Sequence, residues 1–209
     1  MDLKNEAYEK QVASYKQRLF KRLRAMTPPA NAIVIELGIG CFPNAPYYAG
    51  WENVQIIGIE PDPSRHAEAM SRAALCGLSL RMYTSRGEHL DIMPPNSADA
   101  IVSTCTLCTV DDPQKTLAEV KRVLRADGVF AFLEHVMSES DQLLAARQVE
   151  ATPNELRLWN CHLDRRTLQE IQTAGFSRIV GVVDGDACYF DLPTESDLMS
   201  PTVVGIALP

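Results

Sequence analysis

No apolar run in this chain approaches the roughly 18 to 20 residues that a membrane-spanning helix needs, so a transmembrane anchor is not expected. Basic residues are the minority charge. With 20 Lys and Arg against 27 Asp and Glu, the formal net charge of -7 leaves no dense cationic surface for general phosphate contact, and nucleic acid is not expected as a partner. Internal repeats and low-complexity tracts are missing, and 46% apolar with 22% charged residues is ordinary globular usage, which excludes disorder and collagen-like structure. The N-terminal Met1-Asp2-Leu3-Lys4 lacks the apolar segment of a signal peptide. Six scattered cysteines suggest no disulfide framework, so a reducing, cytoplasmic setting is expected. Cys105-Thr-Leu-Cys108 has no second Cys pair at ligand spacing, so no metal site is expected; a redox pair or half a zinc site is the alternative reading.

What is present fits one domain over residues 1–209. In residues 1–30, Tyr8, Val12, Tyr15, Leu19, Leu23 and Met26 recur at steps of three or four, which predicts an amphipathic helix. Its other face carries six Lys or Arg between Lys10 and Arg24, either a solvated face or a weak membrane-surface contact. Thr27-Pro-Pro-Ala-Asn31 ends it. From residue 31 onward short β-rich runs alternate with helical stretches, the pattern of a mostly parallel sheet covered by helices. Strands are predicted at 32–37, 54–60, 78–83, 98–103, 129–135, 177–184 and 202–208. The expected fold class is therefore α/β, a Rossmann-like seven-stranded sheet with helices on both faces. Asp62-Pro63 starts one helix, Asp111-Asp112 another that ends at Asp127-Gly128, and Asp164 caps a third. Residues 138–163 form an insertion in the 31–209 core, read either as a helical lid or as a plain cover for the sheet.

Ile33-Val-Ile-Glu36-Leu-Gly38-Ile-Gly40 is a strand running into a glycine-spaced turn, where bare backbone lets a ligand approach the N–H groups. Glu60 ends the next strand, twenty residues after Gly40, where a carboxylate accepts both hydroxyls of a ribose. An adenosine ligand is the joint expectation. A dinucleotide is disfavoured because Pro43 stands where the third glycine of G-x-G-x-x-G would fall. Glu36 suits a ligand that carries an ammonium group.

These residues, with Ile59-Glu60-Pro61-Asp62-Pro63, Gly87-Glu88-His89, Asp99 to Val110, Val120 to His135, Cys161-His-Leu-Asp-Arg165 and Val203 to Ala207, resemble successive motifs of class I S-adenosylmethionine-dependent methyltransferases. The nearest likeness is to the methyltransferase-like thiol S-methyltransferases, over about residues 16 to 208. The resemblance implies that Gly38 and Gly40 pass beneath S-adenosylmethionine, and that Glu60, with Pro61 beside it, holds the ribose. It also implies that Gly87, Glu88 and His89 surround the adenine, while Ser103 and Thr104 contact the methionine part. Where the family has a further glycine this chain has Phe42, whose side chain must point away from the cofactor or crowd it.

The expected enzyme is a small-molecule methyltransferase. Methyl transfer from a sulfonium is an in-line displacement, so alignment and water exclusion dominate. A thiol, with a reference pKa near 8.5, needs no strong base, whereas an alcohol does. His135 at the end of the fifth strand is the candidate base, or else a residue that shapes the pocket. Tyr8, Tyr15, Trp159 and His162 are candidate walls of an acceptor pocket. O- or N-methyl transfer, a non-catalytic S-adenosylmethionine binder and an NAD-dependent oxidoreductase are the alternatives.

Overall fold

The computed structural model describes residues 3–182, 188–192 and 197–209. Alternation along each strand decides which layer a side chain joins. In β1 (Ile33–Leu37), Val34 enters the core that contains Val12, Leu19, Leu23 and Ala69, while Ile35 and Leu37 enter the core that contains Leu117, Val120 and Ile171. The same switch separates Ala131 and Leu133 from Phe130 and Phe132 in β5 (Leu124–His135). Helices α1 (Leu3–Met26) and α2 (His66–Leu75) therefore cover one face, and α3 (Pro113–Val123) and α5 (Thr167–Thr173) the other.

The remaining strands are β2 (Gln55–Ile59), β3 (Ser79–Tyr83), β4 (Ala98–Thr104), β6 (Arg178–Gly181), β7 (Tyr189–Asp191) and β8 (Pro201–Leu208). Their order is β3-β2-β1-β4-β5-β8-β6, with β7 also on β8. The β3 to β5 part is parallel throughout, while β8 runs antiparallel to β5, β6 and β7. The order reverses between β1 and β4. Open sheets of this kind take ligands at the carboxyl ends of the strands beside such a reversal.

Several expectations are corrected. The described residues form eight strands rather than seven, because the three-residue β7 was not foreseen. Helix α3 stops at Val123 rather than at Asp127-Gly128: Leu124 takes extended backbone at ψ 141, and residues 124–128 lengthen β5. Asp164 does not cap α5, whose N-cap is Arg166 with no side-chain bond. The sixth strand ends at Gly181, and residues 183 and 184 of the predicted strand lie outside the described residues. Lys16 is not on a solvated face. It is 1% exposed, and its Nζ reaches both carboxylate oxygens of Glu9 at 2.8 Å. The insertion is helical, as α4 (Gln142–Trp159), with Asp141 accepting from the amides of Leu143 and Leu144.

Candidate functional site

Gly38 and Gly40 follow β1 at φ +56 and +55, a region that favours glycine. They serve different neighbours. A Cβ on Gly38 would stand 2.4 Å from Thr106 Oγ1, so this glycine is required by the β4 loop packed against it. A Cβ on Gly40 would meet only the flexible Arg65 Nη1, at 3.6 Å, and no backbone nearer than 3.9 Å. The Gly40 N–H donates to Glu60 Oε2 at 2.9 Å, and the Asp62 N–H donates to Glu60 Oε1 at 2.9 Å. The acid at the end of β2 is thereby held against the glycine turn, and each oxygen retains a lone pair for a sugar hydroxyl. Pro61 follows it, exposed.

Glu36 lies one strand inward and is 1% exposed. Tyr48 donates to its Oε1 at 2.6 Å and Asn44 Nδ2 to its Oε2 at 2.9 Å. Burial pushes the carboxyl up to about 7, against the pull of those two donors and of Lys16. Asn44 Nδ2 also reaches Thr104 Oγ1 at 3.1 Å, which ties the β1 turn to the end of β4. Asn44 Oδ1 is buried without a donor. A buried acceptor left open beside a carboxyl is a fitting place for the ammonium of an amino-acid ligand.

Phe42 does not crowd this turn. It takes φ 61, as a glycine would, while its ring is fully buried in the core 6.0 Å from that of Tyr48. The backbone shape is kept at a cost of roughly 1 kcal/mol for a non-glycine residue there.

Other expected residues are spread more widely. Gly87 packs against Thr116, 2.8 Å from where a Cβ would sit. Glu88 Oε1 accepts from the amides of Asp111 and Asp112 at 2.8 and 3.3 Å, so it anchors the loop after β4. His89 is exposed, with Nε2 3.3 Å from Lys115 Nζ. Ser103 is fully buried, and its hydroxyl donates to Glu134 Oε1 at 2.6 Å. Glu134 also accepts from the Thr106 amide at 2.9 Å. Burial raises the Glu134 carboxyl above its ordinary value, opposed by these donors.

His135 is not a solitary base. It is 2% exposed, its Nε2 lies 2.9 Å from Cys161 Sγ, and its Nδ1 is buried without a partner. Cys108 completes the group, since the ligand-competent atoms of Cys108, His135 and Cys161 all lie within 4.8 Å of one another. The Cys161 thiol is pulled below its ordinary value, chiefly by the Cys108 thiol and then by His135, while Cys108 is pushed up. The two cysteines of C-x-x-C diverge: Cys105, at φ 52, donates to Tyr8 Oη at 3.0 Å and is pushed up to about 12 by burial. The four expected pocket walls are not gathered either. Tyr8 meets Cys105, Tyr15 stacks on Phe190 at 3.8 Å, Trp159 is 56% exposed, and His162 lies 3.7 Å from Asp164. A concavity of about 260 Å³ lined by Asp99, Asp127 and Gly128 belongs to the opposite edge of the sheet.

Residues 35–132 match the methyltransferase domain family. Thiol S-methyltransferase TMT1B of Rattus norvegicus is 30% identical over 176 residues, covering 81% of this chain and 70% of the relative. Thiol S-methyltransferase TMT1A of Homo sapiens is 29% identical over 205 residues, covering 96% of this chain and 81% of the relative. Among solved structures, an S-adenosylmethionine-dependent methyltransferase of Thermotoga maritima superposes with a TM-score of 0.63 at 18% identity, covering 98% of this chain and 94% of that one, a likeness of fold. The turn joined to Glu60, the open Asn44 acceptor and these relatives converge: the chain belongs to the S-adenosylmethionine-dependent methyltransferase family that contains the thiol S-methyltransferases TMT1A and TMT1B.

Proposed function

We propose that this methyltransferase acts on the thiol of a small-molecule acceptor. S-adenosylmethionine, when bound, supplies an electrophilic methyl group on a sulfonium. The observation that carries the reading is the pair of bonds that fix Glu60 to the glycine turn, because they preset a sugar-binding carboxylate at the strand reversal. Glu60 would hold the ribose hydroxyls, with Asn44 Oδ1 and Glu36 receiving the ammonium. The thiol acceptor follows from the named activity of the relatives. It also agrees with the occupied state of His135, since a thiol needs no strong free base.

Two alternatives lose their motive. A non-catalytic binder would follow from a Phe42 ring that crowded the cofactor, yet Phe42 leaves the turn in its glycine-like shape. An NAD-dependent oxidoreductase rested only on the shared strand, turn and acid. The net charge of -7 disfavours a nucleic-acid acceptor. No described helix is long and apolar enough to cross a membrane.

Titration calorimetry with S-adenosylmethionine, followed by mass spectrometry of a thiol panel with labelled methyl donor, tests the reading. Saturable heat, enzyme-dependent methyl thioether, and loss of both in Glu60→Ala are expected. Binding without any thioether, with phenols or amines methylated instead, would overturn the thiol assignment.

A further inference from the structure

We propose that Cys108, His135 and Cys161 form a site for a thiophilic divalent metal ion, zinc foremost, whose open fourth position takes the sulfur of the methyl acceptor. The acceptor half of this statement rests on the thiol reading above; the metal half does not. Two sulfurs and an imidazole nitrogen within 4.8 Å of one another are a soft donor set with no carboxylate among them, which suits zinc and excludes calcium or magnesium. Tetrahedral zinc, with Zn–S near 2.3 Å and Zn–N near 2.1 Å, sets S···S at about 3.8 Å and S···N at about 3.6 Å. The present 2.9 Å between His135 Nε2 and Cys161 Sγ therefore has to open by well under about 1 Å.

The three ligands come from separate segments, and the backbone fixes each of them. His135 is the last residue of β5 and pairs with Thr202 of β8. Cys108 lies in the loop after β4, and its carbonyl accepts from the His162 amide at 2.8 Å. Cys161 follows Asn160, which closes α4 in the left-handed region at φ 53 and donates through Nδ2 to Thr109 O at 2.7 Å. On the far side of Cys161, Arg165 Nη2 donates to Val110 O at 2.6 Å and the Met137 amide to Arg165 O at 2.9 Å. A ligand triangle tied at each corner is preorganised for an ion.

The surroundings favour the same occupant. Cys108, Cys161 and Leu163 are buried, with the partly buried Ala151, Leu198 and Met199 packed against them as apolar neighbours. Without a cation, those apolar neighbours surround two sulfurs and an imidazole whose buried Nδ1 finds no partner. A divalent ion replaces the two thiol protons and neutralises the sulfurs. Among the described residues no fourth ligand joins the cluster, and the adjacent His162 turns to Asp164. Three protein ligands and a vacant position are the coordination set of catalytic rather than structural zinc. His135 ends β5 and Cys108 lies in the loop past the carboxyl end of β4, the edge that also carries Gly40 and Glu60.

In the reaction, the acceptor thiol binds the ion as its thiolate and releases its proton to solvent. A sulfur lone pair then forms the new S–CH3 bond while the methyl–sulfonium bond breaks, its electrons returning to the donor sulfur. The thioether product is neutral and a poor zinc ligand, so it leaves.

The full chain, reduced and stripped by a chelator, is titrated with Co(II) and then Zn(II). One Co(II) per chain is expected, with a thiolate-to-cobalt charge-transfer band and intense tetrahedral visible bands that one Zn(II) abolishes. Cys108→Ser and Cys161→Ser lose these bands, whereas Cys76→Ser, at an exposed position, retains them. Should the serine variants fail to fold, wild-type alkylation in urea short of the unfolding transition, where the buried site opens transiently, decides: Zn(II) has to slow modification of Cys108 and Cys161 by iodoacetamide. No saturable Co(II) binding, or no protection, overturns the metal site. Adding 2-mercaptoethanol to the cobalt form is expected to strengthen the charge-transfer band, and an unchanged spectrum overturns the acceptor assignment. Failure of the thiol reading itself is seen separately, as a loaded protein that yields no methyl thioether.

Discussion

Burial of Glu36 ties the stability of the fold to pH. Its carboxyl is raised from 4.5 to about 7 in the folded chain, chiefly by desolvation. A raised folded value means that the native state holds a proton which the unfolded state has already lost between these limits. The contribution is complete below about pH 4.5 and declines as pH climbs to about 7, by about 3 kcal/mol in all. Glu36→Gln keeps an acceptor for Tyr48 and, with Asn44 rotated, a partner for Asn44, and it does not titrate. Urea unfolding at pH 4 and pH 8 is expected to shift the wild-type-to-variant difference by about 3 kcal/mol in favour of the variant at the higher pH. A pH-independent difference would show that Glu36 is already ionised. An ammonium ligand beside Glu36 favours its charged form, so saturating cofactor is expected to flatten the dependence.

Helix α4 owes its place to one fully buried side chain. Gln148 accepts from the Ser138 amide at 2.7 Å and donates to Val136 O and Leu198 O at 2.9 Å each. The helix otherwise exposes Leu143, Val149, Leu158 and Trp159. Gln148→Leu strands three backbone groups and is expected to cost about 3 kcal/mol, loosening residues 138–160 before the sheet. Hydrogen exchange checks this, and uniform exchange across α4 and β5 would refute it. None of these three bonds was readable beforehand, because Gln148 looks like an ordinary helix residue until β5 and the segment before β8 are folded beside it. The parallel strands were legible for the opposite reason: apolar runs such as Ile33–Leu37 are bounded by turn residues close in sequence. The end of α3 was misplaced because Asp127-Gly128 reads as a helix stop, whereas Leu124 had already turned extended to extend β5 along β4. The Gly40 and Glu60 pairing was visible as a spacing. The Cys108, His135 and Cys161 group had no such spacing, being assembled from a strand end and two loops that only tertiary contacts bring together.

Across the molecule, the strand reversal puts the residues proposed to hold the cofactor around the ends of β1, β2 and β4, while the cysteine–histidine group lies at the ends of β4, β5 and α4. A ligand that binds only the folded chain stabilises it by mass action, about 2.7 kcal/mol at one hundred times its dissociation constant. For a chain of this size each kcal/mol moves the melting midpoint by about 2 to 4 °C, so S-adenosylmethionine is expected to raise it by about 5 to 11 °C. Glu60→Ala also removes the acceptor for the Gly40 and Asp62 amides, so its ligand-free midpoint falls. The diagnostic quantity is therefore the ligand-induced shift, which is expected to vanish in Glu60→Ala. An undiminished shift in that variant would place the nucleoside somewhere other than the turn that Glu60 holds.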